Sequence, residues 1–387
     1  MSAPKDVIAA VRHADPYPFY RQLRENRPIY FDEALGLWVV SSAEMVTAIF
    51  GEPGFYVRPA GQLVPPSLRA TEISPVYGSL VRMSDGEYQR LMKHAVVTAL
   101  SEVDRLQLQS LTEAGIVDFG LRENELFSQS LHNAMYRLPA YVVAALLGIE
   151  TAALHQVAEL TGYFLGALAP TAITAQIERG SAATRTLLDM FEAQAERPQA
   201  RQSTVFRQLL TQATADGFEP AQVTANAIGF LMQTFDATAG LIGNAFLVLQ
   251  RAGAPATLRD WPAFLAEVLR YDPPVQNTRR YATHYLELGG QAILAEDTVL
   301  LVMAAANRDP ALNPEPDVFR PGRAKRETLT FGHGAHLCPG NLLAITIAAN
   351  ALTVLWTRWR DTEAARQFAE APAYRALPNA RIPEVAQ

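Results

Sequence analysis

The chain has 387 residues, of which 49% are hydrophobic, and a formal net charge of -6 with both signs mixed throughout. That is the balance of an ordinary globule, and it argues against a general nucleic-acid binder. A single cysteine excludes an internal disulfide and fits a reducing, cytoplasmic setting. Met1 to Asp15 carries Lys5, Asp6, Arg12, His13 and Asp15 and so lacks the apolar core of a signal peptide. The nearest approach to a membrane helix, Leu342 to Trp356, is interrupted by Thr346, Asn350 and Thr353, so no membrane association is expected. No linker-like stretch divides the sequence, and residues 1–387 are expected to form one unit.

In chain order, Asp15 followed by Pro16 predicts a short helix past Tyr20 and Leu23, closed by Asn26-Arg27-Pro28. Ile29-Tyr30-Phe31 and Leu37-Trp38-Val39-Val40, with Gly36 between them, read as a hairpin. Ser41 or Ser42 then caps a helix through Ile49. Gly54 to Ser79 is broken at Pro59, Gly61, Pro65, Pro66, Pro75 and Gly78, which predicts a long loop with at most one short helix. Loops of that length are often functional.

Helical periodicity dominates from Glu87 to Gly253. It covers Thr112 to Gly120, Glu123 to Leu147 with a break at Pro139, Ala152 to Leu168 and Ala182 to Glu196, with Ala169-Pro170-Thr171 between the last two. Pro220 to Gly253 is the longest candidate, with proline at its start and glycine at its end. The last third changes character: Leu286-Glu287-Leu288-Gly289-Gly290 and Thr298 to Val302 read as strands beside a proline-rich connection from Asn313 to Gly322. The expected fold is mainly α with a small β region.

The lone cysteine lies in Phe331-Gly332-His333-Gly334-Ala335-His336-Leu337-Cys338-Pro339-Gly340, just before an apolar helix beginning at Asn341. Free amides and the helix dipole at such a start favour a thiolate. A lone cysteine in apolar surroundings can also be core filler. His333, His336 and Cys338 could be zinc ligands, but structural zinc usually takes two separated ligand pairs and a second cysteine is missing.

The string F-x-x-G-x-x-x-C-x-G, with a basic residue two before the cysteine, closely resembles the heme-binding loop of the cytochrome P-450 family. Further residues share its order and spacing: Glu267 and Arg270 as E-x-x-R, then Pro273-Pro274, Asn307-Arg308-Asp309-Pro310 and Phe319-Arg320-Pro321-Gly322-Arg323. An acid and a base three apart are by themselves a common solvated pair; their joint occurrence with the loop carries the resemblance, which spans essentially the whole chain. It implies the triangular P-450 fold with a long central helix over the heme.

It also implies heme b (iron protoporphyrin IX) held by Cys338 as thiolate ligand, within the loop residues Phe331, Gly332 and Gly340. His336 and Arg280 would meet the two propionates, and Glu267, Arg270 and Arg323 would form a structural network. Where many relatives carry His and Arg four apart on the helix that follows the lid, here the long loop Gly54 to Ser79, this chain reads Tyr88 and Met92. Methionine donates no hydrogen bond, so Arg90 or Lys93 would compensate, or a propionate would be wetter than usual.

On the central helix the resemblance puts Asp236 at the acid that handles protons and Ala237 where an alcohol normally stands. Gln233 and Thr234 replace the usual small pair, and Thr238 becomes the alcohol if the alignment moves by one. Phe230, Thr234, Ala237 and Leu241 share one face of the helix by spacing. Implied substrate-pocket residues are Leu63, Val64, Phe230, Gln233, Val275, Gln276 and Asn277, with Arg58, Gln62 and Leu68 as further candidates in the loop; the polar members suggest a functionalised metabolite. Phe164, Leu165, Leu168 and Ile173 could face a pocket or belong to the core.

The implied function is a bacterial-type heme-thiolate monooxygenase that uses O2 and electrons from NAD(P)H. The electrons would arrive through a ferredoxin or flavodoxin and its reductase, since no dinucleotide fingerprint is present. A monomer acting in secondary metabolism is expected. Two rivals stay open: an atypical member catalysing coupling, cyclisation, rearrangement or peroxide-driven chemistry with substrate-assisted proton delivery, and a non-catalytic heme sensor or carrier.

Overall fold

The computed structural model describes residues 3–123, 125–169, 171–196, 204–255 and 260–385; Met1 and Pro170 lie outside them. Helix α1 (Val7–Val11) is capped by Asp6, whose carboxylate accepts the Ile8 amide at 2.9 Å. Helix α2 (Tyr17–Asn26) starts behind Pro16. Strands β1 (Ile29–Asp32) and β2 (Leu37–Val40) pair antiparallel around Gly36, whose φ of +63° suits a residue without Cβ. Ser42 caps α3 (Ala43–Gly51) through the Met45 amide. The loop expected over 54–79 contains only β3 (Phe55–Tyr56), one 3-10 turn at Pro66–Leu68 and the short helix α4 (Ile73–Gly78).

Helix α5 (Gly86–Ser101) leads to α6 (Arg105–Asp118), which starts earlier than the expected Thr112. The break expected at Pro139 takes another form. Helix α7 (Phe127–His132) runs through a π turn at Asn133–Arg137 into α8 (Leu138–Leu146). Pro139 cannot donate to the carbonyl four residues back and its ring crowds it, so the helix widens over the preceding turn instead of stopping.

Helices α9 (Thr151–Ala167) and α10 (Thr174–Glu196) follow, the second starting well before the expected Ala182. They cross closely at Gly180, where a Cβ would sit 2.4 Å from the Ala167 side chain and 2.8 Å from the Tyr163 carbonyl oxygen. Phe164 is buried in the core while Ile173 is exposed. After α11 (Val205–Ala215), the long helix α12 (Pro220–Ala252) opens with a reciprocal Glu219/Gln222 cap and closes at Gly253 with φ of +78°.

Helix α13 (Trp261–Tyr271) leads into β4 (Thr278–Ala282), the hairpin β5 (Leu286–Leu288) and β6 (Gln291–Ile293), β7 (Thr298–Leu301) and α14 (Met303–Ala306). The main sheet has the order β1-β2-β7-β4-β3, parallel only between β2 and β7. It encloses its own apolar cluster, including Val40, Ile49, Phe50, Val299 and Leu301. Helices α15 (Asn341–Trp359) and α16 (Glu363–Glu370) complete the α body. Among the described residues α15 is the one helix long and apolar enough to cross a membrane, and it packs here against α6, α12 and α13.

The ends of the chain meet. Buried Arg381 donates to the carbonyls of Val11 (3.0 Å), His13 (2.6 Å) and Ala14 (3.0 Å) and to Asp272 at 2.9 Å.

Candidate active site

The loop before α15 is shaped by its glycines. The Cys338 amide donates to the Phe331 carbonyl at 2.8 Å, closing a turn in which Gly332 has φ of +75°. A Cβ on Gly332 would lie 3.2 Å from the His336 carbonyl oxygen, and one on Gly334 would lie 3.1 Å from that of Phe50. Helix α5 clamps the loop from outside: Gln89 donates to the Ala335 carbonyl at 2.8 Å, and the Lys93 ammonium donates to the Leu337 carbonyl. Burial pushes the Cys338 thiol up, against the Gly340 amide and the charges of Lys93 and Arg82. The helix start therefore does not by itself make a thiolate; coordination to a metal deprotonates such a thiol outright.

Two helices in contact, α12 and α15, each carry residues inside the body that the protein leaves partly uncovered. They are Gln233 to Ala237 on one helix and Leu343 to Thr346 on the other, each followed by fully buried residues. Two basic side chains, Arg280 and His336, come from β4 and from the loop. Arg280 is 5% exposed, lies over the Phe50 ring at 5.0 Å, and among the described residues its side chain hydrogen-bonds only its own strand, to the Arg279 carbonyl at 2.8 Å and Thr278 Oγ1 at 3.4 Å. Burial lowers its pKa to about 10. His336 Nε2 is 3.0 Å from Asp85 Oδ1. Among the described residues no three His, Cys, Asp or Glu side chains gather as a metal site, so zinc has no cage at His333, His336 and Cys338. A sulfur ligand, two largely apolar faces and cations at the edge fit heme, whose macrocycle is flat and apolar and whose two side acids need donors once buried.

Behind the loop, Glu267 and Arg270 are both fully buried. Arg270 Nε and Nη2 donate to Glu267 at 3.0 and 2.7 Å, Arg323 Nε at 3.3 Å and the Arg320 amide at 2.9 Å. Arg270 and Arg323 also donate to the Val318 carbonyl. This ties α13 to the proline-rich segment entering the loop.

The central helix brings in a partner that the sequence did not point to. Asp236 Oδ1 is 3.2 Å from Arg375 Nη1, which lies 3.2 Å from the Tyr136 hydroxyl. Burial raises the Asp236 pKa and Arg375 pulls it partly back. Thr238 is 1% exposed, whereas Thr234 and Ala237 are part-exposed in the interior. Gln233 Nε2 donates to the Gly229 carbonyl at 2.9 Å.

Several expected ligand contacts are directed elsewhere. Tyr88 donates its hydroxyl to the Ser79 carbonyl at 2.6 Å, leaving no proton for a propionate, and Met92 is fully buried. Arg90 points outward to Glu87 at 3.7 Å. Gln276 is spent on Tyr20 and on the Pro273 carbonyl, and Asn277 donates to the Pro378 carbonyl at 2.9 Å, so neither is a free polar handle. Val275 bridges to Ala380. Leu63 is 67% exposed at the surface, and Gln62 is exposed as well. Arg58 is tied to the Tyr77 and Gly78 carbonyls, and Leu68 is core. Val64 and Phe230 pack partly buried against the main core. Arg82, Gln89 and Arg375 belong to no spacing motif, and only the three-dimensional arrangement reveals them.

Comparison with known proteins gives the same picture. The family model described as Cytochrome P450 matches residues 261–360. The chain is 26% identical over 357 residues to the biotin biosynthesis cytochrome P450 of Bacillus subtilis, covering 89% of each chain. It is 27% identical over 389 residues to the 6-deoxyerythronolide B hydroxylase of Saccharopolyspora erythraea, covering 93% of this chain and 92% of that one. A solved structure of P450BioI in complex with hexadec-9Z-enoic acid ligated acyl carrier protein superposes with a TM-score of 0.78 at 24% identity, over 95% of this chain and 97% of that one. With Cys338 presented by its glycine loop, Glu267 and Arg270 locked behind it and α12 running over the same interior, residues 261–360 match the Cytochrome P450 family model, and the chain resembles cytochromes P450, in sequence and in fold, over nearly its whole length.

Proposed function

We propose that the protein oxidises a functionalised small-molecule metabolite, taking electrons from a separate ferredoxin or flavodoxin with an NAD(P)H-dependent reductase, and that its protons pass through Asp236 without an alcohol at the neighbouring position. Bound heme supplies the centre at which O2 and electrons meet. Cys338 ligates it and the clamped loop fixes the sulfur. The observation that carries the proton reading is the Asp236, Arg375 and Tyr136 set beside Ala237, which has no hydroxyl to order a water. Asp236 Oδ1 holds a proton more readily than an exposed aspartate, because burial outweighs Arg375. Thr234 lies on the interior face and can relay through an ordered water or a substrate hydroxyl.

Support for a functionalised substrate comes from the side-chain oxygen of Gln233, since among the described residues its nitrogen alone is engaged, and from Thr234. A 6-deoxyerythronolide B hydroxylase and a structure with an acyl carrier protein among the similar proteins are in keeping with it. The same Ala237, with Gln233 and Thr234 in place of smaller residues, favours a second reading: oxidative coupling, cyclisation, rearrangement or peroxide-driven chemistry in which the substrate supplies the hydroxyl. We place the protein as a cytoplasmic monomer in secondary metabolism.

A screen for compounds that shift the ferric Soret band finds the substrate. Coupling of NAD(P)H oxidation to product is then compared in Asp236→Asn, Thr234→Ala, Thr238→Ala and Ala237→Thr with surrogate redox partners. Loss of a positioned proton donor costs about 10²- to 10⁴-fold, so Asp236→Asn should fall by that order and Thr238→Ala should stay near wild type. Collapse in Thr238→Ala with Asp236→Asn unaffected would place the relay on Thr238. Oxygen from labelled O2 in the product supports monooxygenation, and its absence supports the second reading.

A further inference from the structure

Along α12 the residues Asp236, Gly240 and Gly243 follow at i, i+4 and i+7, and so share one face. The two glycines let other segments lie directly against it. A Cβ on Gly240 would sit 2.7 Å from the Pro274 side chain and 2.9 Å from the Arg381 carbonyl oxygen, and one on Gly243 would sit 2.9 Å from the Pro383 ring and 3.2 Å from the Met135 methyl. Two segments therefore meet on this stripe, the stretch 373–384 and the π turn Asn133–Arg137. The first folds back on itself, from the Arg375 amide to the Ile382 carbonyl at 2.9 Å and from the Glu384 amide to the Ala373 carbonyl at 2.8 Å. The Arg381 amide pins it to the Pro274 carbonyl at 2.7 Å.

Each segment delivers one polar side chain to Asp236 or to its partner. Arg375 Nη1 is shared, donating to Asp236 Oδ1 and to the Tyr136 hydroxyl oxygen, both at 3.2 Å. Tyr136 is 9% exposed, and its ring is held 5.0 Å from that of Phe235 and 5.2 Å from that of His132. With its two hydrogens directed to two fixed acceptors, the nitrogen keeps one orientation. A π turn redirects the side chains around it and often marks a functional position; here it is the turn that carries Tyr136.

We infer that Tyr136 is a positioning residue for the proton route: by accepting from Arg375 it holds that guanidinium on Asp236 Oδ1, and it leaves Oδ2, which has no hydrogen bond among the described residues, as the oxygen that takes up and gives back protons. This rests on the reading of Asp236 as the proton carrier. The charges around the set are consistent with it. Asp236 feels Arg375, and Tyr136 feels Arg375, Asp236 and Glu384. Burial raises the Tyr136 pKa, so the phenol stays neutral, while burial, Arg137 and Arg375 lower that of His132.

The test is an infrared pH titration of the full holoprotein, in which the Asp236 carboxyl band is identified by its loss in Asp236→Asn. Tyr136→Phe keeps the ring against Phe235 and His132 and removes only the hydroxyl. Burial then opposes the Asp236 charge with a less firmly held Arg375, so the midpoint should move to higher pH. A hydrogen bond of ordinary worth corresponds to roughly 2- to 13-fold, and the proton affinity of Asp236 should rise by up to that factor. In an Arg375→Gln background the same substitution should add nothing, because Tyr136 acts through Arg375. Arg375→Lys, which keeps the charge without the planar guanidinium, should titrate between wild type and Arg375→Gln. An equal shift in both backgrounds, or no shift in either whatever the melting point does, overturns the inference. The underlying reading is checked apart from this, by NADH oxidation with surrogate ferredoxin and reductase in ordinary and heavy water. An Asp236→Asn rate and solvent isotope effect equal to wild type would overturn that reading and this inference with it, even where the titration behaves as expected.

Discussion

Glu267→Gln preserves shape and removes one charge from a site with no solvent to compensate. Glu267 and Arg270 are both 0% exposed, and the carboxylate receives two guanidinium bonds from Arg270, one from Arg323 and one from the Arg320 amide. Removing one partner of a buried pair costs about 3 to 5 kcal/mol, because the other charge stays buried and uncompensated. An unfolding entropy of roughly 2.1 cal/mol/K per residue then implies a melting point about 4 to 6 °C lower for a chain of this size. The assay is thermal unfolding of the holoprotein followed by circular dichroism at pH 7.

Acid supplies an internal check. Burial raises the Glu267 pKa, but the Arg270 hydrogen bonds, the Arg320 amide and the charges of Arg270 and Arg323 lower it further, so the net shift is below the ordinary value of 4.5. A carboxyl depressed in the folded state gives stability that is complete above its unfolded value and is lost as pH falls through its folded value. The gap between wild type and Glu267→Gln should therefore be full at pH 7 and narrow below about pH 4.5. Replacing both residues with apolar ones of similar volume should recover part of the loss. A Glu267→Gln melting point equal to wild type at pH 7, or a gap that holds constant into acid, would refute the reasoning.

Lys93→Met removes the cation from the carbonyl that precedes the ligand. More negative charge at the sulfur stabilises the oxidised iron, so spectroelectrochemistry should find a lower ferric/ferrous potential, and an unchanged or higher one would count against a role for Lys93. Gly332→Ala places a side chain at φ of +75°, 3.2 Å from the His336 carbonyl oxygen. A left-handed residue with Cβ costs roughly 1 to 2 kcal/mol, so that variant should melt lower and lose heme sooner; a melting point identical to wild type would show that the loop does not need the glycine.

What could be read from the sequence was whatever local chemistry specifies. Gly36 with its alternating flanks gives the hairpin, Ser42 the start of α3, and Pro220 with Gly253 both ends of α12. Boundaries failed where packing decides them. Thr174 to Ser181 has little amphipathic pattern, yet it is helical because Gly180 lets α10 lie against α9. The candidate site divides in the same way. Cys338, Glu267 and Arg270 sit in strings whose spacing is their signature. The partners Arg375 for Asp236 and Asp85 for His336 are separated by 139 and 251 residues, and nothing in the local sequence marks such pairs. Gln276 and Asn277 read as polar handles because a sequence does not say that neighbouring carbonyls will consume them.

The anchoring of Arg381 on Val11, His13 and Ala14 sets a timetable for biosynthesis. The carbonyls that receive this guanidinium are made 367 to 370 residues before it. At a ribosomal rate of about 5 to 20 residues per second, the amino-terminal segment waits roughly 20 to 75 s for its partner. The same late stretch delivers Arg375 to Asp236 and closes the wall of α12 at Gly240, where the Arg381 carbonyl oxygen would lie 2.9 Å from a Cβ. A nascent chain stopped short of residue 374 therefore lacks both the clasp on its first helix and the counter-ion of its central acid, and is a natural client for chaperones.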